Sequence, residues 1–145
     1  MFDAIVVDQQ PVTQSLPLAD LWRFLPIGYL FTIAIETPVL LVGMSPNVTI
    51  RQRVWLGIWL TACTYPIVIL VMPAIFWDTS RALYLFIAET FAPVAECTLF
   101  WLAFRKRTDL TTGDWIRDLL VIVMANFASF GAGEVLNFYR WFGLF

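Results

Sequence analysis

The sequence predicts an all-α protein, an integral membrane four-helix bundle with short loops and both termini on the outer side. Three observations predict it. The chain is 60% hydrophobic and only 14% charged, where a soluble domain averages about 45–50% apolar and about 25% charged. Its mean hydropathy is +0.77. Its apolar residues form four long blocks, each close to the roughly 20 residues that a helix needs to cross the hydrocarbon core. Backbone groups in lipid must be satisfied within the segment, so helices are the expected form. A barrel would instead show alternating segments of about 10 residues. The 145 residues are expected to form a single polytopic domain.

Residues 1–23 read as an outer-side segment. They lack a basic N-terminal region, and Asp3, Asp8 and Gln9-Gln10 interrupt any apolar stretch, so a cleavable signal is not expected. Pro11 and Pro17 keep this segment extended or turned. The first span is expected at 24–44 and ends at Ser45-Pro46-Asn47, where proline cannot continue the helix. The second is expected at 54–77, followed by the short turn Asp78-Thr79-Ser80-Arg81, which makes spans two and three an antiparallel hairpin. The third is expected at 82–104 and is stopped by Arg105-Lys106-Arg107. Thr111-Thr112-Gly113-Asp114 then supplies turn and cap chemistry for the fourth, at 115–138.

Basic residues orient the bundle. Arg51, Arg53, Arg105, Lys106, Arg107 and Arg117 cluster at the first and third loops, whereas the opposite side carries Arg23, Arg81 and Arg140. The positive-inside rule places the first and third loops in the cytoplasm, in a bacterial-type inner membrane. Trp22, Trp55, Trp77, Trp115 and Trp141 lie near the span ends, as an aromatic belt requires.

Composition also excludes functions. A net charge of −2 and no basic cluster interleaved with aromatics argue against nucleic acid as a partner. The chain has no histidine, which removes Ser–His and Cys–His pairs and a c-type haem site. No phosphate-binding glycine loop is present. No cofactor is designated and the metal question is open. Cys63 and Cys97 are expected to pack as small apolar residues.

The residues that demand a reason are Glu36, Glu89, Glu96 and Glu134, all inside the expected spans. A carboxylate near the bilayer centre costs about 2.5–3.5 kcal/mol on insertion scales. Depth sorts them into an inner pair, Glu36 with Glu96, and an outer pair, Glu89 with Glu134. They are candidates for binding an ion or proton. Each helix also has a small or polar stripe. The stripes contain Tyr29, Thr32 and Gly43 on the first, Gly57, Thr61 and Thr64 on the second, Ala92, Pro93 and Ala103 beside Glu89 and Glu96 on the third, and Asn126, Ser129, Gly133 and Asn137 on the fourth. Such sides are expected to meet inside the protein, with lipid on the Leu/Ile/Val/Phe remainder.

Ser129-x-x-x-Gly133 and Ala128-x-x-x-Ala132 have the spacing of helix-packing surfaces. Pro38 and Pro93 follow Glu36 and Glu89 closely, and the carbonyls they free are further oxygen ligands or water contacts. The stretches 33–37 and 86–90 are weakly alike, which would suit two parallel two-helix units. Glu89 and Glu96 are separated by two turns, about 10 Å, so an acid–base enzyme built on that pair is not expected.

Two readings follow. In the first, the chain is an ion- or proton-coupled transport component with a carboxylate-lined interior. In the second, it is a non-catalytic accessory or assembly subunit whose glutamates meet a partner's basic groups. Both place it in the lipid bilayer, as a homo-oligomer or with other membrane subunits.

Overall fold

A computed structural model of the chain describes residues 18–76 and 80–139. The expectations for residues 1–17, for the turn at 77–79, and for Arg140 and Trp141 lie outside the described residues. All regular secondary structure among them is helical, with no strand: α1 (Leu18–Gly43), α2 (Ile50–Pro66), a π-helical turn (Ile67–Val71), α3 (Met72–Ile75), α4 (Arg81–Phe104) and α5 (Thr112–Phe138). Four stretches are long and apolar enough to cross a membrane: Leu21–Gly43, Ile50–Ile75, Ala82–Phe104 and Thr112–Leu136. The protein is therefore a multi-pass membrane helix bundle.

Helices α2 and α5 start earlier than the apolar blocks suggest, and local capping is the reason. Thr49 and Gln52 form a reciprocal capping box, with Gln52 N–H donating to Thr49 Oγ1 and Thr49 N–H to Gln52 Oε1. This draws Arg51 and Arg53 out of the loop and into the first turn of α2. Thr111 and Asp114 repeat the arrangement ahead of α5: Asp114 N–H donates to Thr111 Oγ1, and Thr111 N–H to Asp114 Oδ2. Ser80 caps α4 through Leu83 N–H.

The second span is broken in a way that Pro73 explains. Proline offers no N–H to the turn before it. Helix bonding there shifts to the wider π pattern, with Met72 N–H reaching Ile67 O. The Val68 carbonyl is then left without a helix donor, and the Tyr84 hydroxyl of α4 donates to it at 3.1 Å.

Antiparallel pairs fix the order around the bundle. Helix α1 lies between α2 and α5, and α4 packs on the same two neighbours. Gly57 lies hard against Thr37, and Gly43 against Val121. At the loop end, Leu40, Met44, Leu56, Leu60, Phe100 and Ile122 are almost fully buried. Phe100 stacks on Phe104 and takes Trp115 edge-on. Large apolar side chains such as Leu30, Val42, Phe86, Val94 and Met124 are exposed on the outside, where lipid belongs.

That loop end is also bound by polar contacts. Asp118, fully buried, accepts from Ser45 N–H at 2.6 Å and from Ser45 Oγ at 2.8 Å. Arg53 donates to the carbonyls of Leu41, Ser45 and Val48, and Arg117 to that of Gly43. The C-terminus of α1 has no basic residue of its own. Arginines from α2 and α5 satisfy its open carbonyls instead.

Candidate functional site

The bundle is solid at the loop end and hollow towards the other. A cavity of about 570 Å³ lies between the helices, and Glu36, Glu89, Glu96 and Glu134 all line it. Thr32, Thr61, Thr64, Asn126 and Ser129 line it too. It extends from Glu36 and Glu96 towards Leu21, Tyr84 and Glu134, at the end remote from the two described loops. Among the described residues, no lysine or arginine lines it.

Glu36 and Glu96 sit deepest in burial, at 4% and 3% exposed. Each is held by groups on two other helices. Glu36 accepts from Thr61 Oγ1 (α2) and from Ser129 Oγ (α5), both at 2.7 Å. Glu96 accepts from Thr64 Oγ1 (α2) at 2.7 Å and from Asn126 Nδ2 (α5) at 2.8 Å. Thr61 and Thr64 are one helical turn apart, as are Asn126 and Ser129, so α2 and α5 each present one donor to each carboxyl. Glu36 and Glu96 lie within electrostatic reach of one another, and so do Glu89 and Glu134.

Hydrogen counting reveals what the inner pair can do. A hydroxyl has one hydrogen, yet each hydroxyl here touches two acceptors. Thr61 Oγ1 lies 2.7 Å from Gly57 O as well as from Glu36. Thr64 Oγ1 lies 3.1 Å from Leu60 O, and Ser129 Oγ 3.0 Å from Asn126 O. With an ionised carboxyl, the hydroxyl hydrogen points at the carboxylate. With a protonated carboxyl, the acid hydrogen points at the hydroxyl, whose own hydrogen turns to the helix carbonyl. Both states keep these oxygens bonded, and only hydroxyl rotation separates them. The Asn126 amide has two hydrogens and serves Glu96 and the Ile122 carbonyl, at 3.0 Å, simultaneously.

Other sequence candidates fall differently. Tyr29 stands outside the cavity, where its hydroxyl donates to Ile58 O at 3.0 Å and its ring lies near Tyr65. The side chain of Asn137 lies outside the described residues. Ser129 and Gly133 do not form the expected packing surface. Ser129 bonds Glu36, and a Cβ on Gly133 would meet nothing within 4 Å. Ala128 is exposed. The likeness of 33–37 to 86–90 does not correspond to equivalent environments either. Glu36 is matched by Glu96 in burial and bonding, whereas Thr90 is exposed and bonds its own helix at Phe86 O. Cys63 and Cys97 are free and half-buried.

Sequence reasoning missed Asp118. Its signal was present: counting back from Ser129 and Asn126 at helical spacing leads through Ile122 to Asp118 on the same stripe. The aromatic walls of the cavity, among them Phe24, Phe31, Tyr65 and Phe130, were also missed. In an apolar span such rings look like lipid-facing residues until the packing is known.

Comparison with protein-family models, with curated proteins and with solved structures finds no match to this chain.

Proposed function

We propose that the protein is a proton- or cation-handling component of a membrane transport system, with Glu36 and Glu96 as its exchangeable site. The observation that carries this reading is the double bonding of Thr61, Thr64 and Ser129. A buried carboxyl whose partners accept either charge state can gain or lose a proton without a helix moving. The usual cost of leaving a buried polar group unpaired, about 1–3 kcal/mol, is avoided in both states.

Glu89 and Glu134 then serve as a second pair along the cavity, on the route between its far end and the inner site. With the arginine-rich loops in the cytoplasm, the cavity faces the outer side. The apolar packing around Phe100, Leu56 and Leu60 separates the site from the cytoplasm in this conformation. Passage to the inside therefore needs a second arrangement of the helices, or a neighbouring subunit or second copy that completes the path. The alternative reading, an accessory subunit, has fewer groups at its disposal. Glu36 and Glu96 are already bonded within the chain, which leaves Glu89 as the carboxyl for a partner's basic side chain.

The test is proton movement in vesicles reconstituted with the purified protein and containing a pH-sensitive dye, under an imposed membrane potential. Glu36→Gln and Glu96→Gln should abolish flux while the proteins remain folded and inserted. The infrared carbonyl band of a protonated carboxyl should also be lost in each. Flux equal to that of the parent protein in both variants would overturn the reading. Subunits that co-purify in mild detergent, with recovery lowered by Glu89→Gln, would favour the accessory role.

A further inference from the structure

We propose that the cavity takes an amphiphilic organic cation, an ammonium-like charge on an apolar body, which enters from the bilayer between α4 and α5. The inference deepens the proposed function and rests on its charge-changing inner pair. It names the cargo class and the door.

Size comes first. A volume of about 570 Å³ lies within the roughly 300–1,000 Å³ range of pockets that hold small organic molecules. A proton needs no such space. An inorganic cation needs several oxygens converging at about 2–2.6 Å. Among the described residues, no group of three acidic, histidine or cysteine side chains is placed to hold a metal ion. The carboxyls are instead dispersed as two pairs along the void.

Lining chemistry selects the ligand. The walls include the rings of Phe24, Phe31, Tyr65 and Phe130, together with Val68 and Leu85. Ring faces attract a cation that has left water, and the aliphatic side chains accommodate its apolar part. Glu36, Glu89 and Glu96 offer a cation its counter-charge, and among the described lining residues no basic side chain offers one to an anion.

Glu89 locates the door. A second recess, of about 460 Å³, lies at the α4/α5 seam and is lined by Pro93, Val94, Cys97, Val123 and Phe127 among others. Val94 and Phe127 are exposed, so this recess faces the lipid. Among the described residues, Glu89 alone lines both spaces. Beyond this point α5 has little bulk, since a Cβ on Gly131 or Gly133 would meet nothing within 4 Å. A cation dissolved at the membrane therefore meets a carboxyl at the seam before it reaches the inner pair. Charge then balances by exchange: the cation pairs with the carboxylate of Glu96 or Glu36, and the proton that this carboxyl carried is released.

The experiment uses the full chain in nanodiscs and radiolabelled tetraphenylphosphonium, which has no proton of its own. Bound label is measured by scintillation proximity, and proton release by a pH dye. Saturable binding above that of empty nanodiscs is expected, with a proton released on binding. Neutral triphenylphosphine oxide should not compete. Glu89→Gln should weaken binding about tenfold. Val94→Trp, which fills the outer recess, should slow association about tenfold and leave equilibrium binding close to the parent value.

Binding no greater than in empty nanodiscs, or equal competition by the neutral analogue, overturns the cargo class. Unchanged association in Val94→Trp overturns the route. If the cation fails to bind while proton flux persists and depends on Glu36 and Glu96, only this inference falls. If it binds while flux ignores both glutamates, the exchange function falls and the binding site stands.

Discussion

Asp118 and Ser45 are joined by two hydrogen bonds at the fully buried loop end of the bundle. Asp118 Oδ1 takes the Ser45 backbone N–H and Oδ2 takes its hydroxyl. The pair ties the exit of α1 to the second turn of α5. Asp118→Asn keeps the shape but removes the charge and replaces one acceptor with a donor. A loss of about 1.5–3 kcal/mol of stability is expected, the worth of hydrogen bonds to a charged group. Thermal unfolding in detergent measures it. Parent-like stability of both Asp118→Asn and Asp118→Ala would show that the contact is dispensable.

Arg53 satisfies three carbonyls around the end of α1. Arg53→Met retains most of the stem but leaves those oxygens without a donor. Backbone amides of residues 41–49 should then exchange hydrogen faster, whereas those of α4 should not. Equal protection across both regions would count against a local capping role.

Gly57 and Gly133 should respond oppositely to alanine. An added methyl at Gly57 would meet Thr37 Oγ1 at 2.4 Å and Thr37 Cα at 3.2 Å, and backbone cannot swing aside. Gly57→Ala is expected to cost about 1–3 kcal/mol, the range for overpacking. Gly133→Ala meets open space and should be neutral, or stabilising by up to about 1 kcal/mol through helix propensity. Unfolding of the two variants side by side decides it.

Thr37 provides a separate case, because its buried Oγ1 has no hydrogen-bond partner among the described residues. Thr37→Val preserves the shape and removes the unsatisfied oxygen. It should leave stability unchanged or raise it by about 1 kcal/mol. A clear loss in the same unfolding assay would mean that this hydroxyl does have a partner.

The described loops carry a modest acid dependence. Arg107 donates to Asp109 and to Asn47 O, which links the loop after α4 to the loop after α1. The hydrogen bond from Arg107 holds the Asp109 carboxyl below the usual carboxylate range. The unfolded chain therefore binds this proton more readily than the folded one. The contribution of Asp109 is present at neutral pH and disappears as pH falls through the folded value. Full exposure keeps it small. The stability difference between the parent and Asp109→Asn should be present at neutral pH and vanish at a pH below the ordinary aspartate range. A difference that grows on acidification would contradict the sign.

Several features needed no structure to be seen. Helix number and character follow from block length, because lipid leaves the backbone no other way to satisfy its hydrogen bonds. Glu36, Glu96, Thr61, Thr64, Asn126 and Ser129 could be picked out individually, since polar groups are conspicuous where they are expensive. The capping box of Thr49 and Gln52 was missed, and it starts α2 at Ile50, ahead of the apolar block that begins at Val54. Asp118 was hidden as well. It lies near a loop end, where a charge passes for an ordinary solvated one.

What the sequence determined by itself was the solvent, the helices and the presence of buried acids, because these follow from hydropathy and helical period along one chain. Which donor meets which carboxyl depended on the tertiary structure. Thr61 reaches Glu36 and Thr64 reaches Glu96 only once the antiparallel register of α1, α2 and α4 is set. The cavity is likewise a property of packing. Ser129 and Gly133 have the spacing of a helix contact, but their neighbours stand back from Gly133 and leave open space there. A period of 3.6 residues tells which side chains share a face. It cannot tell whether the opposite wall is a helix or a void, since that distance is set by side chains remote in sequence.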